Sequence, residues 1–258
     1  MSRPKLLDLF CGAGGAGKGY LDAGFDVDGV DIAPQPDYPG TFIQGDALAY
    51  LAAHGHEYDA VHASPPCQAS CALTKGTNKG ASYLNLIPAT RALLALLNVP
   101  TVIENVQGSD LRRDLTLCGE MFNLGVIRHR YFELGGWAAI APEHKKHRGR
   151  VAGYRHGEWF DGPYFAVYGE GGGKGTVAQW QTAMGIDWTD NRKSIAEAIP
   201  PAYTRLIGMQ LMALIETQRE LALAVADASD CSHEGLECAH WVKIDGKWHL
   251  QDASEVAA

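Results

Sequence analysis

From Lys5 to Leu134 short apolar runs alternate with stretches of helical spacing, and that alternation leaves few architectures open. Strand-like runs cover Lys5 to Phe10, Asp26 to Asp31, Thr41 to Gln44, Tyr58 to Ala63 and Thr101 to Glu104, and a further one ends Arg130-Tyr131-Phe132-Glu133-Leu134. Helical stretches fall over Ala16 to Ala23, Asp46 to Ala53 and Leu84 to Leu97, with a polar helix expected near Asp110 to Phe122. Strand, helix and strand in succession build right-handed βαβ units, so an α/β domain with a mostly parallel, doubly wound sheet is the expectation. After Leu134 periodicity gives way to Gly, Trp, His and basic residues, and residues 135–175 are read as a small separate lobe. Helical character resumes at Thr176. A long helix follows Pro200-Pro201, from Ala202 to about Ala228, with Leu206, Met209, Met212 and Leu214 as its sheet-facing positions. The expected organisation is a main domain from 1–134 and 176–228, the inserted lobe, and a C-terminal tail from 229–258.

At 258 residues and 46% hydrophobic content the chain can bury one large core and a small appended lobe. No apolar run approaches the roughly 20 residues of a membrane span, and Met1-Ser2-Arg3-Pro4-Lys5 lacks a secretory leader's apolar stretch, so a cytoplasmic location is expected. In such a compartment the six cysteines are read as thiols, not as a disulfide framework. A net charge of -8 argues against indiscriminate attachment to nucleic acid, so any polyanion must meet a local patch. One exists. Across 143–155, Lys145, Lys146, Arg148, Arg150 and Arg155 face a single acid, Glu143, a formal +4 suited to phosphate contacts. The tail carries Cys231-x-His233 and Cys238-x-His240, a set that can bind zinc; its spacing is tighter than common finger patterns, and reduced cysteines with no metal are the preferred reading.

Several short motifs carry chemistry. Asp8-Leu9-Phe10-Cys11-Gly12-Ala13-Gly14-Gly15 puts a glycine-rich turn after the first strand, where backbone can approach a nucleoside-like ligand or simply turn tightly into a helix. Asp31, closing the second strand, is placed to accept from ribose hydroxyls, and Asp46, after the third, from an adenine amino group; helix N-terminal or solvated-loop roles compete for both. In Pro65-Pro66-Cys67-Gln68 two prolines stiffen the loop that presents a thiol at the carboxyl edge of the sheet, although a buried structural cysteine has the same local look. Glu104-Asn105-Val106 brings a carboxyl group to that edge, and Arg128-His129-Arg130 brings two cations able to hold a phosphate or a pyrimidine oxygen; surface ion pairs are the plainer alternatives.

In order, Asp-Leu-Phe-Cys-Gly-Ala-Gly-Gly, Pro-Pro-Cys-Gln, Glu-Asn-Val and Arg-x-Arg resemble the DNA (cytosine-5) methyltransferase family over most of residues 5–134 and more loosely over 176–208. The resemblance implies a Rossmann-like S-adenosylmethionine-dependent methyltransferase domain with a small inserted target-recognition lobe, here 135–175, acting as a monomer on double-stranded DNA. It implies a pocket for S-adenosylmethionine at Asp8, Phe10, Gly12, Gly14, Asp31, Ile32, Asp46, Ala47 and Pro65, and catalytic roles for Cys67, Glu104, Arg128 and Arg130. Gln68, Lys75 and Lys79 on the polar loop after the thiol, together with the basic residues of the lobe, would contact DNA. Two departures stand out. Val126 occupies a position where many members carry glutamine, and Ala196-Glu197-Ala198-Ile199-Pro200-Pro201 lacks the asparagine of the family's final motif. Trp180-Gln181-Thr182-Ala183-Met184-Gly185 stands where members have a helix supporting the lobe. Transfer to tRNA, transfer of a modified alkyl group, and a catalytically silent DNA-binding role are the competing readings.

Overall fold

Leu6, Leu7 and Leu9 are fully buried around Asp8 in β1 (Lys5–Leu9), and a strand buried on both faces belongs in the middle of a covered sheet. In the computed structural model, which describes residues 2–66, 84–156, 158–168, 175–229, 240–244 and 247–251, β1 does lie in the interior of the sheet, next to its central strand. Its partners are β2 (Asp26–Asp31), β3 (Thr41–Gln44), β4 (Ala60–Ala63), β5 (Thr101–Val106), β6 (Leu115–Leu117) and β7 (Arg130–Gly135). The seven run in the order β3-β2-β1-β4-β5-β7-β6. β1 to β5 pair in parallel, and β7 is antiparallel to both of its neighbours.

The two-residue period of the strands sorts the core into two layers. Leu6, Ala60, Val102 and Phe132 join Tyr20 of α1 (Gly15–Asp22) and Tyr203, Ile207, Leu211 and Ile215 of the long helix on one face. Leu7, Leu9, Val61 and Ile103 join Leu51 of α2 (Ala47–His54) and Ile87 and Leu94 of α3 (Ile87–Leu94) on the other. A third cluster gathers Val126 and Val167 with Trp180 and Met184 of α4 (Val177–Met184) and Ile195 of α5 (Arg192–Glu197). A capping box between Thr176 and Gln179 starts α4, and left-handed Gly185 ends it.

Two expectations are corrected. The polar helix near 110–122 is instead a short edge strand, β6, followed by a 3-10 turn at Gly119–Phe122. Leu115 and Leu117 are buried two apart, as a strand requires, and Asp114 accepts the Leu134 amide at 2.8 Å, which ties the segment to β7 where helical spacing would have turned it away. The final helix, α6 (Pro201–Ser229), presents Tyr203, Ile207, Leu211 and Ile215 to the core at a spacing of four, whereas Met209 is 57% exposed and Leu206, Met212 and Leu214 only flank the contact.

Within 135–168, Gly153–Arg155 (β8) and Glu158–Phe160 (β9) form an antiparallel ladder. A compact division of the chain falls inside α6, between Ile215 and Glu216. In the second unit the described residues beyond the helix form one antiparallel hairpin, β10 (His240–Ile244) against β11 (Lys247–Gln251). No helix among the described residues is long and apolar enough to cross a membrane.

Candidate active site

The carboxyl ends of β1, β2, β4 and β5 meet at one edge of the sheet, where open α/β folds place their ligands. At the β1 end the chain reverses sharply: Phe10 has φ 57°, Gly12 φ 49° and Gly14 φ 84°. Among the described residues nothing lies within 4 Å of where a Cβ on Gly12 would stand, while a Cβ on Gly15 would overlap the carbonyl oxygen of Ile199. The two glycines therefore serve different ends. One leaves space at the strand's end; the other lets the 198–199 segment lie against the turn. Trp188 reinforces that approach by donating its indole N–H to the Ala13 carbonyl at 2.8 Å.

Asp31 is held by the backbone amides of Gly12 and Ala33, both at 3.0 Å, which leaves lone pairs free on each oxygen for hydroxyl donors. Beside it Ile32 is 74% exposed, an apolar surface available for stacking. These residues fit an adenosine moiety. Other members of the expected pocket are turned to the protein's own needs. Asp46 caps α2, accepting the amides of Leu48 and Ala49 at 2.9 Å, and Ala47 is buried at the helix start. Asp8 is fully buried and accepts the Tyr38 hydroxyl at 3.0 Å; burial raises its carboxyl to about 8. Phe10 packs partly buried against the second core layer.

At the β4 end, Pro65 is buried and its carbonyl accepts Asn105 Nδ2 at 2.8 Å, so the Pro-Pro loop is fastened to β5. Cys67, Gln68, Lys75 and Lys79 lie outside the described residues. Glu104 opposes Phe132 across the β5–β7 ladder, and Arg130 sits two residues before Phe132, so the two side chains meet on the diagonal. Arg130 Nε is 3.0 Å from a Glu104 oxygen, both side chains being nearly buried. Burial pushes the Glu104 carboxyl above its ordinary range; Arg130, a hydrogen bond from Ser64 and the charge of Arg128 oppose that rise without cancelling it.

Behind Glu104 stands a relay that sequence reasoning missed. Ser64 Oγ is 2.9 Å from His62 Nε2, and His62 Nδ1 is 3.0 Å from the Tyr20 hydroxyl. Burial lowers His62 to about 3, so the imidazole is neutral and passes a hydrogen-bond orientation along to Ser64 without carrying charge. The available signal was a histidine inside an otherwise apolar strand, two residues before a serine that precedes Pro-Pro.

Arg128 points elsewhere. It donates to the carbonyls of Val167 at 2.8 Å and Ala196 at 2.6 Å, with φ 27°, and its own carbonyl accepts the Tyr203 hydroxyl. That arrangement ties three distant segments together. In the basic segment, Lys145 and Lys146 are exposed, whereas Arg148 is engaged by Glu120 at 3.0 Å and the Leu124 carbonyl, and Arg150 lies over Phe160 at 5.2 Å. Arg155 lies in β8, its side chain outside the described residues.

A central parallel sheet extended by an antiparallel seventh strand, with a glycine turn and an acidic residue at its carboxyl edge, defines the Rossmann-like methyltransferase fold. Neither a family model nor a curated protein matches the sequence. Among solved structures the fold matches the S. pombe Dnmt2 methyltransferase at a TM-score of 0.54 and 15% identity, over 84% of this chain and 99% of that one. It also matches the Entamoeba histolytica methyltransferase EhMeth at a TM-score of 0.51 and 10% identity, over 82% and 98%. A candidate DNA modification methyltransferase encoded within an E. coli prophage aligns over 51% of this chain and 46% of its own length, at 22% identity and a TM-score of 0.39. At the level of fold, the Rossmann-like methyltransferase architecture expected from the sequence is borne out.

Proposed function

We propose that this chain transfers a methyl group from S-adenosylmethionine to C5 of a cytosine rotated out of duplex DNA. The observation that carries the proposal is the nearly buried Glu104–Arg130 pair at the exit of β4, where Asn105 fastens the loop leading to Cys67. S-adenosylmethionine, when bound, supplies an electrophilic methyl group, and Gly12, Asp31 and Ile32 would hold its adenosine.

Cytosine C5 is a weak nucleophile, and the thiolate of Cys67 adding to C6 would push the C5–C6 π electrons onto C5. Negative charge that builds in the ring during addition needs a partner. Glu104, its carboxyl kept in the protonated form more readily than an exposed acid, can donate a hydrogen bond or proton at ring N3. Arg130 fixes the carboxyl's orientation and adds positive charge beside the ring's acceptors. Once C5 carries the methyl group, loss of the C5 proton and cleavage of the carbon–sulfur bond restore the double bond and free Cys67.

Duplex DNA containing 5-fluorocytosine tests the whole reading, because fluorine at C5 cannot leave as a proton does and the enzyme should remain covalently attached. Cys67→Ser should abolish both attachment and tritium transfer while cofactor binding persists. Turnover by that variant would refute the nucleophile, and transfer to tRNA in place of duplex DNA would move the substrate.

A further inference from the structure

Cys118, His129, His144 and His147 bring four ligand atoms within 4.8 Å of one another, and nothing in the proposed methyl transfer uses them. Cys118 Sγ is 3.4 Å from His147 Nε2, and His129 Nε2 is 3.2 Å from His144 Nε2. A tetrahedral zinc ion with Zn–N of about 2.0–2.1 Å and Zn–S of about 2.3 Å sets its ligands about 3.4 Å (N to N) and about 3.6 Å (S to N) apart. Both measured edges lie close to those values. The three imidazole rings pack together at centroid distances of 5.0 to 5.4 Å, and one nitrogen of each lies within 4.8 Å of the others and of the sulfur.

From this geometry we infer a structural zinc site with Cys118, His129, His144 and His147 as its four ligands. The coordination is one thiolate and three neutral imidazoles, a donor set matched to a borderline-soft ion, and four protein ligands close the shell. Binding releases the Cys118 proton, which in the metal-free geometry points at the Ile127 carbonyl 2.9 Å away. Cys118 follows β6 directly and opens the 3-10 turn, and His129 lies between Arg128 and Arg130, while His144 and His147 bracket Lys145 and Lys146. The metal would thus pin the basic segment to the strand that carries Arg130. An independent set of contacts ties the basic segment to the turn that Cys118 opens: Glu120 binds both Arg148 and the Tyr164 hydroxyl.

Metal analysis of the untagged full-length protein from zinc-replete cells tests the site without reference to activity. One zinc per chain is expected, with an X-ray absorption shell of one sulfur and three nitrogens, and cobalt(II) replacing it should show tetrahedral bands with one thiolate charge transfer. Cys118→Ser and His147→Ala should each lower zinc content at least tenfold, whereas the Cys231→Ser/Cys238→Ser double variant should keep it. A metal-free wild type that takes up no cobalt overturns the inference. So does a two-sulfur shell, or zinc lost only from the tail variant. The wild-type spectra decide even where a variant fails to fold.

Discussion

Glu104 and Asp8 are both buried carboxylic acids at one end of the sheet, and their partners set them to opposite uses. Glu104 faces Arg130 and Ser64 at the mouth of the β4 loop, so Glu104→Gln should leave the fold intact and cost about 10²–10³-fold in kcat, read by tritium transfer. Wild-type levels of turnover in that variant would remove Glu104 from the chemistry. Among the described residues Asp8 takes its one side-chain hydrogen bond from Tyr38, and burial raises it to about 8 from an unfolded value near 4. Folding therefore takes up a proton between about pH 4 and pH 8, and stability should fall with rising pH by up to about 1.4 kcal/mol per unit across that window. Asp8→Asn should flatten this decline, which urea titrations at pH 5, 6.5 and 8 would show.

At the scale of elements, one ion pair staples α3 to the sheet. Arg91 makes a two-pronged contact with Glu133 of β7 at 2.7 and 2.8 Å, and the Arg112 amide adds a third hydrogen bond at 3.0 Å. Burial alone would raise Glu133, but Arg91 and that amide hold the carboxyl below its ordinary range. Arg91→Ala strands the buried acid and should cost about 2 kcal/mol, less than a fully buried pair because Arg91 is partly exposed. A depressed carboxyl contributes above its unfolded pKa and loses the contribution as pH falls through the folded one. The gap between wild type and Arg91→Ala, measured in urea, should therefore shrink between pH 7 and pH 3; a constant gap would assign the loss to packing. The same staple explains why the helix expected near Asp110 to Phe122 does not form. Arg112 and Asp114 have the composition of a solvated helix, yet they pair with each other and with Glu133 and the Leu134 backbone, contacts set by the sheet edge and invisible locally.

Taken as a whole, the molecule sets a small positive segment against a net charge of -8. Of the basic residues there, Lys145 and Lys146 stand exposed while Arg148 is committed to Glu120, so they should behave differently. Lys145→Gln/Lys146→Gln should weaken DNA binding and reduce the salt slope by about 0.9 per lost phosphate contact. Arg148→Gln should act mainly on thermal stability. An unchanged slope in the lysine variant would place the phosphate face elsewhere.

Local pattern was enough for the βαβ order, for most strand limits to within two residues, for Asp31 beside the glycine turn and for Glu104 at the sheet edge, because each depends on periodicity, turn chemistry or position after a strand. Only the folded chain could decide that β7 runs antiparallel, that Arg128 holds backbone carbonyls, that His62 and Ser64 stand behind Glu104, and that Cys118 meets a histidine 29 residues later. Those facts rest on contacts between segments remote in sequence, whose geometry is set by how the layers pack against one another and not by any stretch of residues alone.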